Sequence, residues 1–368
     1  RYRLSSLSVF SNVALHVKDH YVEPDRVQPR EMLVRALEEI EKQIAEVLVE
    51  TRQDEIRVQV MGKKKTIVND VDNLWEINLK LREVFRFFEK HLPPQDNVRL
   101  IEYAAVNGAL STLDPHSLLL KPEAFAEMKT STKGEFGGLG IVISVRDGRL
   151  TVISPIDGTP AARAGLKAGD VISRIGDVST VSMPVDEAVR MLRGPKGSEV
   201  TIWVEREAWA DARRFSIVRE RIKLESVESK LLAGGVGYIK IKNFQQNTGK
   251  DLEEHLDRLR EEADGQLEGV VLDLRNNPGG LLEQATRVSD KFVSSGDIVT
   301  TVGYGNKLRE PKRARWSGTE TDLPVAVLVN RGSASASEIV AGALKNLDRA
   351  TIIGEPSFGK GSVQVLYD

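Results

Sequence analysis

Apolar residues recur at spacings of three and four through the N-terminal part of the chain. Residues 31–49 place Met32, Leu33, Leu37, Ile40, Ile44 and Leu48 on one stripe, and residues 71–88 repeat it with Leu74, Ile77, Leu81 and Phe88. That period predicts amphipathic helices. A third helix is expected over residues 98–113, stopping before Asp114-Pro115. Between the first two, residues 55–60 alternate polar and apolar, the period of a half-buried strand. These stripes read as core or self-association contacts. The texture changes at Gly134. From there to about residue 219, β-like runs at 140–145, 150–154, 171–175 and 200–205 are split by Gly and Pro turns, with helical stretches at 160–164 and 185–192. From about residue 224, apolar runs at 237–241, 270–274, 325–329 and 350–353 alternate with helical stripes. Those stripes are Leu252, Leu256 and Leu259, then Leu281, Ala285, Val288 and Phe292, then Ile339, Ala343 and Leu347. Strands alternating with amphipathic helices predict parallel strands covered by helices. The fold class read from this pattern is multidomain α/β: a helical region 1–128, a mostly β module 129–222 and an α/β core 223–368 with a mixed sheet.

Composition narrows the function. A length of 368 residues fits two to three domains. With 40% hydrophobic and 29% charged residues, wholesale disorder is excluded. Fifty-two Lys+Arg against 54 Asp+Glu give a net charge of -2, which lacks the basic excess of a nucleic-acid binder. The absence of cysteine excludes a disulfide scaffold, a thiolate zinc site and a cysteine nucleophile. No run of about 18 apolar residues is present. His16 and His20 sit four apart without a third ligand at metal-site spacing, so they read as surface or packing residues. The chain begins at Arg1 and stops inside the alternating run 363–367, so further segments are expected on both sides.

Ligands of open α/β sheets bind at the carboxyl ends of strands. One such end carries Arg275-Asn276-Asn277-Pro278-Gly279-Gly280. Another carries Ser333, Ser335 and Ser337 on a strand-to-helix turn that leads into Glu338. A helix N-terminus offers free N–H groups to a developing oxyanion, although a capping box of Ser335 with Glu338 explains the same residues. A serine nucleophile needs a base. None of the five histidines (His16, His20, His91, His116, His255) follows a strand of the α/β segment, so a Ser-His-Asp triad is poorly supported. A lysine kept neutral by burial can substitute. Lys360 follows the run 350–353, with Phe358 and Val363 as apolar surroundings and Gln364 placed to hydrogen-bond its amine. The same stretch begins like a phosphate loop. Gly361 stands where Ser or Thr should be, and residues 362–367 alternate like a strand where a helix should start, which opposes an ATPase.

Four blocks in order resemble the carboxyl-terminal processing (tail-specific) proteases. They are Gly137-Gly138-Leu139-Gly140-Ile141 with 157–170, which resembles that family's PDZ domain; Leu192-Arg193-Gly194-Pro195-Lys196-Gly197; Asp273 to Gly280; and Gly332 to Glu338 with Gly354 to Gln364. The resemblance runs from about Leu113 to the last residue. It implies a serine endopeptidase whose Ser-Lys-Gln arrangement falls on Ser335, Lys360 and Gln364, selecting Ser335 over its two neighbours. It also implies oxyanion donors at the Ala336 N–H and at Gly279 or Gly280, Gly279 being preferred, and an Arg193 that links the PDZ domain to the core. No metal or cofactor is implied.

In the PDZ segment, the glycine turn suits capture of a terminal carboxylate, with Gly138, Leu139, Gly140, Ile141 and Leu192 as the peptide-binding residues. Expected partners are proteins or peptides with free C-termini, with an adaptor protein and self-association through the N-terminal helices as further candidates. No nucleic acid is expected. The family places such enzymes outside the cytoplasm, in the periplasm or at the membrane after export. The rival reading is a catalytically inactive PDZ adaptor.

Overall fold

The computed structural model describes residues 2–94, 97–306, 309–315 and 317–367, so Asp368 at the end of the expected core lies outside the described residues. Two compact units emerge: residues 1–126, 295–316 and 360–368 form one, and 127–294 with 317–359 the other.

The first unit opens with α1 (Ser8–His20) and α2 (Pro29–Gln43), followed by an antiparallel sheet of β1 (Val47–Arg52), β2 (Glu55–Val60) and β3 (Lys63–Val68). Then come α3 (Leu74–His91) and α4 (Arg99–Leu110). The stripes expected for the helices lie in its core: Leu33, Leu37, Ile40, Ile77, Leu81 and Phe88 are all fully buried, and Phe85, outside the expected stripe, is buried with them. Each contributes on the order of 1.5–3 kcal/mol relative to an exposed side chain. The expected helix 31–49 is corrected, since it ends at Gln43 and residues 47–52 pair with β2 throughout. Leu48, counted on the helical stripe, is exposed on β1, while Val47 faces the core. The run 98–113 likewise gives a shorter helix, its last residues turning after Leu110.

α5 (Pro122–Lys133) was not anticipated and spans the expected boundary at residue 128. In the second unit β4 (Glu135–Gly138) precedes the β module. That module contains β5 (Ile141–Arg146), β6 (Arg149–Pro155), α6 (Pro160–Arg163), β7 (Val171–Ile175), β8 (Val178–Ser179), α7 (Val185–Leu192), β9 (Glu199–Glu205) and β10 (Arg213–Val218). The order β10-β9-β7-β6-β5 wraps a core of Leu150, Val152, Ile172, Ile202 and Val204. β11 (Glu220–Lys223) returns to pair antiparallel with β4, so entry and exit of the module are tied side by side.

The core sheet follows: β12 (Val227–Leu232), β13 (Val236–Ile241), α8 (Thr248–Glu262), β14 (Gly269–Asp273) and α9 (Leu282–Asp290). A hairpin, β15 (Asp297–Val302) with β16 (Arg309–Arg313), belongs to the first unit. The chain resumes the core with β17 (Val325–Val329), α10 (Ala336–Asn346) and β18 (Thr351–Gly354). The sheet order is β12-β13-β14-β17-β18, with β12 antiparallel and the rest parallel, hence mixed. The parallel strands are apolar runs because helices cover them.

Candidate active site

Parallel pairing aligns the carboxyl ends of adjacent strands. Asp273 pairs with Leu328, and Val329 with Gly354, so the turns after β14, β17 and β18 emerge at one sheet edge. The turn after β17 holds the three candidate serines, and burial separates them. Ser333 and Ser337 are both fully buried. Their hydroxyls donate to main-chain carbonyls, Ser333 Oγ to Leu274 O at 2.7 Å and Ser337 Oγ to Asn277 O at 2.9 Å. Ser335 is half-buried, with φ 54° and ψ −113°. A non-glycine residue there carries strain on the order of 1–3 kcal/mol, which surrounding structure must enforce. Strained strand-to-helix turns present the nucleophile in α/β-hydrolases.

The enforcing contacts are visible. The Ser335 N–H donates to Glu338 Oε2 at 2.7 Å, and Ser335 O accepts from the N–H groups of Glu338 and Ile339 at 2.9 and 3.0 Å. The Ala334 N–H donates to Asn277 O at 3.0 Å. The other oxygen of Glu338 accepts from Ser357 Oγ at 2.7 Å and from the Gly359 N–H at 2.6 Å. One carboxylate therefore joins the serine turn to the loop after β18. The sequence reading saw Glu338 only as a cap.

The Ala336 N–H, in the first turn of α10, makes no hydrogen bond among the described residues. It points out of a helix N-terminus, the position that favours negative charge. The second donor needs a correction. The Gly279 N–H, preferred from the resemblance, is spent on Asn277 Oδ1 at 2.9 Å. The Gly280 N–H, by contrast, has no acceptor among the described residues; its neighbours carry the bridge, with the Phe244 N–H on Gly279 O and the Leu281 N–H on Phe244 O. Glycine is required at 279 on two counts. Its φ is 103°, and an added Cβ would lie 2.9 Å from Ser335 Cβ and 3.0 Å from Ala336 N.

At the foot of the same turn lies a cluster that the sequence reading missed. Asp273, 1% exposed, accepts from Tyr238 Oη at 2.6 Å and from Arg275 N, Nε and Nη2 at 2.9, 2.9 and 2.7 Å. Burial alone would raise its pKa, but the hydrogen bonds from Arg275 and Tyr238 hold the carboxyl below its ordinary range. The signal was an Asp-x-Arg at the end of a buried strand.

Lys360 Nζ donates to Gln364 Oε1 at 2.6 Å, and Gln364 Nε2 donates to Ser362 Oγ at 3.0 Å. Two expectations about this segment are corrected. Phe358 and Val363 are 65% and 54% exposed, so they do not form an apolar enclosure. Residues 362–367 are not a strand, because no ladder partners them among the described residues. Within the first unit, Tyr367 instead stacks on His16 and His20, with ring centroids at 4.5 and 5.1 Å. His255 Nδ1 lies 2.8 Å from Ser229 Oγ and 2.7 Å from an Arg258 nitrogen, so that ring is engaged at the β12 side of the sheet.

In the β module, Gly138, Leu139, Gly140, Ile141 and Leu192 line one groove together with Phe136, Ile143, Val189 and Arg193. The carbonyls of Leu139 and Gly140 are turned away, accepting from the Ala161 and Ile156 N–H groups at 2.9 and 2.8 Å. The N–H groups of Leu139 and Gly140 make no hydrogen bond among the described residues. Successive free N–H groups in a turn suit a carboxylate. Gly140 has φ 76°, and an added Cβ would meet Thr159 Cβ at 2.3 Å. Arg193 caps the end of α7 with its guanidinium 4.4 Å above the Phe136 ring.

Known proteins are similar to this chain in sequence. The model of peptidase family S41 matches residues 235–368, and that of the PDZ domain matches residues 128–205. A carboxy-terminal-processing protease of Bartonella bacilliformis is 42% identical over 83% of this chain and 70% of the relative. A carboxyl-terminal-processing protease of Synechocystis is 37% identical over 72% of this chain and 63% of the relative. For a carboxy-terminal processing protease of Bacillus subtilis the figures are 36%, 73% and 57%. This chain thus spans less than two thirds of the latter two. Among solved structures, the photosystem II D1 C-terminal processing protease is 30% identical, with 79% of this chain and 78% of that one covered at a TM-score of 0.43.

Proposed function

This chain belongs to the carboxy-terminal-processing proteases of peptidase family S41, and from that premise we propose that it is a serine endopeptidase with a Ser/Lys dyad. In this reading Lys360, oriented by Gln364, accepts the hydroxyl proton of Ser335. Ser335 Oγ attacks the scissile carbonyl. The N–H groups of Ala336 and Gly280 stabilise the oxyanion, each worth about 10²–10³ in turnover. The amine leaves with the proton, and water hydrolyses the acyl-enzyme by the reverse path. The observation that carries the reading is the half-buried, strained Ser335 between two buried serines whose hydroxyls are already spent.

The PDZ groove supports recognition of substrate C-termini, the free N–H groups of Leu139 and Gly140 receiving the carboxylate and Leu139, Ile141 and Leu192 the last side chain. Action outside the cytoplasm, an adaptor protein and self-association through the N-terminal helices complete the proposal. Its test is cleavage of an unfolded protein with a free C-terminus by the full-length protein. Ser335→Ala should abolish turnover while leaving peptide binding intact. Undiminished cleavage by that variant would refute Ser335 as the nucleophile, and a wild-type protein that binds C-terminal peptides but cleaves nothing would leave only the adaptor reading.

A further inference from the structure

Two successive glycines bear the second oxyanion donor, and neither has a side chain to hold its peptide plane. Gly279 and Gly280 have φ 103° and 142°, in a region where glycine moves freely. Something else must fix which N–H faces Ser335 and which faces away. Phe244 clamps the outer side of the turn through the Gly279 carbonyl and the Leu281 N–H. The inner side is held by Asn277, which is 0% exposed.

Each polar group of Asn277 is used. Its Oδ1 accepts the Gly279 N–H at 2.9 Å, and its Nδ2 donates to Ile241 O, the last residue of β13, at 2.8 Å. Its main-chain oxygen accepts from the Ala334 N–H at 3.0 Å and from Ser337 Oγ at 2.9 Å, the residues flanking Ser335 and Ala336. One side chain thus orients the glycine turn while the same residue's carbonyl holds the serine turn. An Asn side chain accepting from the N–H two residues on is a turn of well-defined geometry.

We propose that Asn277 is a positioning residue for the oxyanion hole. By withdrawing the Gly279 N–H it leaves the Gly280 N–H as the donor, held in register with the Ala336 N–H. This rests on the serine-protease reading above. Without the Oδ1 acceptor, the Pro278–Gly279 peptide is free to turn, the Gly279–Gly280 plane keeps only its clamp on the Phe244 N–H, and the Gly280 N–H loses its alignment in the transition state. Substrate binding, made elsewhere, is spared.

The test uses the full-length protein and three variants. Asn277→Ala removes the acceptor. Asn277→Ser is almost isosteric with it but restores an oxygen able to accept the same N–H. Asn277→Leu fills the original volume without an acceptor, and serves if the alanine variant does not fold. Turnover of a peptide substrate and inhibition by a peptide aldehyde, whose hemiacetal oxygen occupies the oxyanion position, are measured per folded molecule. We expect kcat to fall about 10²-fold in Asn277→Ala or Asn277→Leu with KM little changed. Aldehyde affinity should fall in parallel, and Asn277→Ser should recover part of both. Wild-type kcat and aldehyde affinity in a folded variant lacking the acceptor would overturn the role. So would equal losses in the serine and alanine variants. Ser335→Ala is assayed alongside: if it still cleaves, the protease reading fails, whatever Asn277 does.

Discussion

At the scale of the residue, the serine turn shows what tertiary structure adds to a motif. Ser333, Ser335 and Ser337 are chemically alike in the sequence, and only their order within the family's pattern selected Ser335. Burial and hydrogen bonding supply the physical reason, since the outer two are sealed and donate to carbonyls. Ser333→Ala and Ser337→Ala are therefore expected to lower stability by about 1 kcal/mol each while cleavage persists; thermal unfolding beside a turnover assay separates these effects. Lys360→Ala should remove cleavage, whereas His255→Ala, whose ring is engaged with Ser229 and Arg258, should retain it. Loss of activity in a folded His255→Ala protein would contradict the assignment of the base. Which of the Gly279 and Gly280 N–H groups is left free was not legible, because it depends on a buried Asn277 amide that no local pattern reveals.

At the scale of the element, periodicity located buried strands and helices well and exposed strands badly. The runs predicted at 171–175, 185–192 and 325–329 coincide with β7, α7 and β17. These elements carry strong apolar signals and clear turn punctuation. By contrast β3 exposes Lys63 and Lys64, and β16 is Arg-Glu-Pro-Lys-Arg, so neither announces itself by alternation. The run 362–367 alternates yet forms no strand, because alternation is only half of a strand and a ladder partner is the other half. Two tests belong at this scale. Gly279→Ala forces a Cβ against Ser335 and Ala336 at positive φ, at a cost on the order of 1–3 kcal/mol from backbone strain. It should abolish turnover, and an active, equally stable variant would refute the packing.

The second test concerns α1 and α4. Glu102 on α4 is fully buried, and its Oε1 accepts the Val9 and Phe10 N–H groups at 2.8 Å. Burial pushes its carboxyl above the ordinary value of 4.5, against the pull of those two bonds. A raised folded-state pKa means the ionised form is penalised. The stability this carboxyl contributes is present below the ordinary value and is lost as pH rises through the elevated one. Glu102→Gln should therefore gain stability relative to the wild type as pH rises from 4 to 7, read by denaturant unfolding. A difference that does not change with pH would refute the argument.

At the scale of the whole molecule, the helical region, the mostly β module and the α/β core were each recognisable from texture, while the PDZ identity of the β module came from the family resemblance. The grouping of residues 295–316 and 360–368 with the N-terminal unit was not, because it depends on contacts far apart in sequence. We propose that Arg193 couples recognition to cleavage. It ends the helix that supplies Leu192 to the peptide groove and stacks on Phe136 of β4, the strand that ties the PDZ domain to β11. Arg193→Ala should keep peptide affinity within a few-fold but lower proteolysis of an unfolded substrate strongly. Lysine should rescue little, since it lacks the planar stack. Wild-type turnover in Arg193→Ala would reduce the residue to a helix cap.

Covalent labelling distinguishes Ser335 as the proposed nucleophile from every other hydroxyl of the protein. The full-length protein is treated with a fluorophosphonate, and the adduct is located by peptide mass mapping. One adduct is expected, on Ser335, lost in Ser335→Ala and strongly slowed in Lys360→Ala. An adduct on another residue, or cleavage that survives while Ser335 stays unlabelled, would contradict it.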